Sequence, residues 1–177
     1  QTCALPISIL KFNFQNLPYT AREMIQYPNI NKLGKLTVVE GELLEATPIK
    51  NIVICAEYEY QGKTELKHFY REDKNIPKEI KKGYGADKET WTLTKKYVAT
   101  YQELLIQQPI DTLNPTETPK PLKVIWVGAD GIFEESSRIR VVGILDIDKS
   151  DKPLSPYIIN ALQVDVIDTF SKQELLE

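Results

Sequence analysis

A mainly β chain that closes into a small barrel is predicted by three features of the sequence. Lys35–Leu44 is rich in β-branched and acidic residues, lacks a helix start signal and is interrupted by Gly41. It reads as a long bent strand, with Leu36 and Val38 on one face and Val39 and Leu43 on the other, and with a bulge at Gly41 where the face switches. Arg138–Asp148 repeats the pattern around Gly143, and short strands punctuated by turns fill much of the remainder. A strand bent at a central glycine is how a small barrel turns a corner. The expected fold is a five-stranded OB-type barrel with a small subdomain inserted between barrel strands.

Taken in order, Gln1–Ile7 (QTCALPI) resembles the translation of a sequencing adapter and is set aside from the fold, which leaves Cys55 as the one native cysteine. Ile9–Phe14 alternates apolar and polar residues and reads as a short strand. Asn16–Tyr19 makes a turn, and Thr20 is placed to N-cap a helix over Ala21–Tyr27, with Glu23 at the capping-box position and Pro28 as the stop. Residues 8–29 thus form the end of an N-terminal subdomain. In Asn51–Tyr60, Ile52, Ile54, Ala56, Tyr58 and Tyr60 share one face, and Val53, Cys55, Glu57 and Glu59 the other. That strand is expected to be the hairpin partner of the first bent strand.

Residues 62–96 lose the alternation, are lysine-rich and are interrupted by Pro77, Gly83 and Gly85. They read as the insertion, holding either its own small sheet or irregular structure. Tyr97–Gln107 is a strand by context. Pro109–Pro121, with four prolines, is a long loop of the kind that is functional or disordered in compact domains. Leu122–Val127 is a strand, Lys149–Pro156 a hairpin tip, and Tyr157–Ile167 the strand that closes the barrel. The barrel therefore comprises 30–61 and 97–168, and 169–177 reads as a linker.

Charge is uneven beneath a net of −3: residues 61–100 carry ten Lys/Arg against six Asp/Glu, whereas residues 101–177 carry seven against thirteen. A strongly basic nucleic-acid footprint is absent overall, and only the middle segment leans that way. No apolar run approaches the roughly 20 residues that span a bilayer, so no membrane role is expected. With two Cys and one His, a four-ligand Cys/His zinc site cannot be assembled within the chain. There is no nucleophile elbow, paired-carboxylate motif or GxxxxGK[ST] phosphate loop, so no catalytic residue is nominated.

Several segments, read together, resemble the N-terminal domain of the minichromosome maintenance (MCM) replicative DNA helicases. They are Asn16-Leu17-Pro18, Leu33–Leu43 (LGKLTVVEGEL), Tyr101–Gln108 (YQELLIQQ), Pro119–Val124 (PKPLKV), Ser137–Leu145 (SRIRVVGIL) and Tyr157–Val164 (YIINALQV). Their order and spacing, over Ile9–Asp168, carry the likeness. The resemblance implies an OB barrel that grips single-stranded or duplex DNA and assembles as a hexameric ring. It also implies ATP and Mg in a motor domain, expected beyond Glu177, and an intracellular setting: cytoplasm or nucleoid of a prokaryote, or nucleus of a eukaryote. The family's zinc-ribbon insertion appears in degenerate form, since Cys55 and Tyr58 stand where paired cysteines are expected and no cysteine follows. Zinc is not expected, Cys55 reads as a buried strand residue and His68 as an ordinary one. No cofactor is assigned to this chain.

The candidate DNA contacts follow from the need for cations along a backbone and aromatics beneath bases. Arg138 and Arg140 alternate with Ile139 and Val141 and leave one non-core strand face. Lys149 and Lys152 lie at the hairpin tip, Lys95 and Lys96 precede Tyr97, and Lys120 and Lys123 flank the start of a barrel strand. For each, a solvated or packed face is the plain alternative. Trp126 reads as core. The rival to a helicase collar is a standalone OB-fold protein-interaction module without DNA or zinc binding.

Overall fold

The computed structural model describes residues 11–131, 133 and 136–168. The adapter-like start, the first residues of the expected opening strand and the expected linker lie outside these. Two compact units divide the chain: Ile49–Tyr101 is one, and Lys11–Pro48 with the residues from Gln102 onward is the other. Among the described residues no helix is long and apolar enough to cross a membrane.

The second unit is built on a closed ring of five strands. These are β1 (Leu36–Ala46), the last part of β5 (Glu89–Gln107), β6 (Pro121–Val127), β7 (Arg138–Ile147) and β8 (Tyr157–Asp168). β1 pairs antiparallel with β7 from Leu36 opposite Ile144 to Glu42 opposite Arg138, and then with β5 from Glu42 opposite Gln107 to Ala46 opposite Leu104. β8 lies antiparallel to β7 and parallel to β6, and β6 neighbours β5. Numbered along the chain, the ring strands run in the order first, fourth, fifth, third, second and back to first.

Alternation explains what fills the ring. In β6, Leu122, Val124 and Trp126 are buried while Lys123 and Ile125 are half-buried; in β7, Ile139 and Val141 are fully buried. Val39 and Leu43 of β1, Leu104 and Ile106 of β5 and Ile159 of β8 join them, and Trp126 stacks obliquely on Phe133 at 5.6 Å between ring centres. Each such side chain stabilises the fold by about 1.5–3 kcal/mol through burial. Trp126 is core, as its alternation predicts.

The two glycines act by close approach. A Cβ on Gly143 would overlap the Asn160 carbonyl and come within 3.0 Å of the Ala161 Cα, at the point where the β7–β8 register shifts. A Cβ on Gly41 would lie 2.7 Å from the Gln107 carbonyl oxygen and 2.6 Å from the Ile25 Cδ1. Gly41 itself stays in register with Ile139; the bulge of β1 falls between Leu43 and Glu45 instead. The buried row of β1 is Val39, Gly41 and Leu43, with no switch at Gly41.

Before the ring, the described part of the expected strand is not paired, and the expected helix is not formed. Residues 11–14 belong to no strand, and Ala21–Tyr27 holds only the end of a 3-10 turn, Tyr19–Ala21. Here the backbone is recruited by β1: Arg22 bridges to Val38, and the Glu23 N–H donates to the Val38 carbonyl at 2.9 Å. Such pairing outweighs the weak propensity of a short segment bounded by Pro18 and Pro28.

Ile49–Tyr101 is an ordered sheet. β2 (Lys50–Tyr60) pairs with β3 (Lys63–Arg71) on one side and the first part of β5 on the other, and β4 (Glu79–Lys82) adds to β5. β2 is thus not the hairpin partner of β1; its hairpin partner is β3, through Gln61 and Gly62 at φ +47° and +73°. The strand expected from Tyr97 starts at Glu89, because β2 and β4 supply pairing that local sequence does not reveal. A bulge between Val53 and Cys55 resets the alternation, so Val53 joins Ala56 and Tyr58 in the cluster with Ile76 and Trp91. The buried Tyr58 hydroxyl donates to the Pro77 carbonyl at 2.6 Å, and burial raises its pKa above 10.0.

Candidate nucleic-acid interface

Arg138 and Arg140 leave the outer face of β7, because Ile139 and Val141, which alternate with them, point into the core. The register across the ring then decides their surroundings. Arg140 stands opposite Glu40 of β1 and Asp165 of β8, and Arg138 opposite Glu42 of β1. Arg140 donates from Nε at 3.0 Å and from Nη2 at 2.9 Å to the Glu40 Oε1. The Arg138 Nη2 lies 3.6 Å from the Asp111 Oδ1, and its buried Nε has no hydrogen-bond partner among the described residues. The face is a cationic row with acidic neighbours, so its outward potential is largely cancelled.

Lys149 and Lys152 lie in the connection between β7 and β8, exposed and without an ion pair among the described residues. The connection is closed by the Asp148 N–H donating to the Pro156 carbonyl at 2.9 Å. The Asp148 carboxylate accepts the Ser150 N–H, also at 2.9 Å, which together with the Ser150 hydroxyl and then Lys123 holds its pKa below the ordinary 3.8. Lys123 faces Asp148 at 4.0 Å and lines a cleft of about 120 Å³ with Glu45 and Glu103. That cleft suits a cation better than a phosphate.

Lys120 belongs to a pinned loop. Gln26, buried, donates from Nε2 to the Thr118 carbonyl at 2.8 Å and accepts the Lys120 N–H at 2.9 Å. The Lys120 Nζ sits 5.1 Å from the centre of the Tyr27 ring. The Tyr27 hydroxyl donates to Glu117 at 2.9 Å, and this raises the phenol pKa. The Glu117 pKa is lowered, first by the Asn114 N–H and then by Tyr27.

In Ile49–Tyr101, the basic-aromatic cluster of Lys95, Lys96 and Tyr97 divides between two faces of β5. Lys95 and Tyr97 share one, with the Lys95 Nζ 4.7 Å from the ring centre. Lys96 turns to the other and pairs with Asp73 at 2.6 Å. The Tyr97 hydroxyl reaches Glu57 at 3.5 Å. Cys55 is buried and stands opposite the exposed His68 on β3. Among the described residues no three His, Cys, Asp or Glu side chains are grouped to hold a metal.

The residues that sequence reasoning missed are acidic: Glu40, Glu42, Asp111 and Asp165. The signal was present only in the Glu40-Gly41-Glu42 alternation, and its meaning needs the β1–β7 register.

No family model matches the chain. Over 77 residues, 42% of its length, the chain is 34% identical to an uncharacterized MCM-type protein of Methanocaldococcus jannaschii. The matched residues span 11% of that protein's length.

Proposed function

We propose that this chain is the DNA-gripping, ring-forming N-terminal part of an MCM-like replicative helicase, with the five-strand ring as an OB-type barrel. The observation that carries the reading is the strand order of the ring, with its parallel β6–β8 pair, in a chain that shares a segment with an MCM-type protein. The sheet of 49–101 stands in for the family's inserted subdomain. Single-stranded DNA is held weakly per subunit, through the outer face of β7 and the Lys149–Lys152 connection, and a hexamer of such chains multiplies those contacts. ATP-driven unwinding belongs to a motor module of the parent protein.

A second reading has its own observation. The pairing of Arg140 with Glu40 and of Arg138 with Asp111 fits an OB-fold protein-interaction module that binds no DNA. Fluorescence anisotropy with a labelled single-stranded oligonucleotide at low and moderate salt, with light scattering for subunit number, separates the two. The helicase reading expects binding that weakens with a log–log salt slope of about 0.7 per phosphate contact, and a multimer. No binding at low salt by a monomeric chain would remove it in favour of the second.

A further inference from the structure

In the ring unit the two arginines of β7 face acids, whereas Lys78, Lys81 and Lys88 of Ile49–Tyr101 are exposed and have no acidic or aromatic partner among the described residues. Lys81 and Lys88 flank the turn between β4 and β5, and Lys78 precedes β4. At its apex Tyr84 is 95% exposed, although the neighbouring aromatics of this sheet are packed: Trp91 lies against Tyr60 at 5.7 Å and donates to Glu89 at 2.9 Å. A tyrosine so exposed contributes little to the core it stands beside.

The apex is also held in place. Gly83 and Gly85 adopt φ +75° and +63° on either side of Tyr84, and the Asp87 N–H donates back to the Tyr84 carbonyl at 3.3 Å. Below the turn, Ile80 pairs with Trp91 and Lys82 lies over the Trp91 ring at 4.4 Å. An exposed, unpaired ring carried on a held backbone turn beside free ammonium groups is the combination that stacks a base and tracks the phosphates beside it. One tyrosine and three lysines are too small a patch for a stable protein interface, which needs about 800 Å² per partner.

We propose that the β4–β5 turn is a contact for single-stranded DNA, with Tyr84 stacked on a base and Lys81 and Lys88 on flanking phosphates. This rests on the DNA-binding reading above but places a contact outside the ring.

The test uses the full chain with a labelled oligothymidylate. Y84A, at an exposed position, keeps the wild-type melting temperature and weakens binding about 5- to 10-fold with the salt slope unchanged, while Y84W restores it. K81A/K88A weakens binding and lowers the slope by about 1.4, the share of two phosphates. R138A/R140A reports on the ring separately. If it alone weakens binding while the Tyr84 and lysine variants match wild type, the turn is overturned and the ring reading stands. If the unaltered chain fails to bind at low salt, both fall.

Discussion

Arg140 directs two donors at one carboxylate oxygen, Oε1 of Glu40, across the β1–β7 ladder. A guanidinium so engaged is already satisfied in the manner in which it would meet a phosphate. Both side chains are a third or more exposed, at 40% and 34%, so solvent screens the pair and it stabilises the fold only slightly. Glu40 is therefore a competitor for any phosphate approaching this face.

Replacing that competitor is expected to strengthen DNA binding. E40Q keeps the size of the side chain and removes its charge, freeing Arg140. Affinity for a single-stranded oligonucleotide at low salt should rise about 1.4- to 5-fold, the equivalent of the ~0.2–1 kcal/mol held by an exposed ion pair. Anisotropy titration reads this directly. An unchanged or lowered affinity would show that Arg140 is not a phosphate contact.

The ring was legible where burial alternates strictly. Leu122, Val124 and Trp126, and likewise Ile139 and Val141, are inward residues separated by outward ones, and local sequence is enough to place them. β2 was misread because the bulge between Val53 and Cys55 moves Val53 onto the face of Ala56 and Tyr58, and because 52–56 is buried on both faces. The helix over Ala21–Tyr27 failed because Val38, distant in sequence, takes the backbone partners that a helix would have used. The face of the two arginines followed from alternation alone. Their neutralisation by Glu40 and Asp111 did not, since it depends on register and loop placement between segments about 100 and 30 residues apart, which no local pattern encodes.

Gly143 should be intolerant of a methyl group. An added Cβ meets the Asn160 carbonyl and the Ala161 backbone, which cannot move aside as the tip of a flexible side chain would. G143A is expected to cost about 1–3 kcal/mol, read as a lower urea midpoint at constant m-value. A midpoint equal to wild type would mean that β8 does not lie against this position.

Gln26 makes a different kind of tie. Its amide bridges the Thr118 carbonyl and the Lys120 N–H from a buried position, so Q26A leaves both loop groups without their partner. The expected loss is about 1–3 kcal/mol. The more telling readout is faster proteolytic cleavage and amide exchange within 109–121 than elsewhere in the ring unit. Equal protection in both proteins would show that the loop is held by something other than Gln26.

Asp148 supplies a pH dependence whose direction is fixed by its partners. The Ser150 N–H at 2.9 Å and the Ser150 hydroxyl favour the carboxylate most, burial opposes them, and Lys123 at 4.0 Å adds a smaller share in favour. Its pKa therefore falls on folding. The sign follows: the stabilisation is present above the unfolded value, near the ordinary 3.8, and is lost as pH falls through the lower folded value. D148N keeps an acceptor for Ser150 and removes the titration. Between about pH 5 and pH 2 the urea midpoint of the wild type should decline more steeply than that of D148N. Parallel declines would show that the charge of Asp148 contributes nothing to closing the connection that carries Lys149 and Lys152.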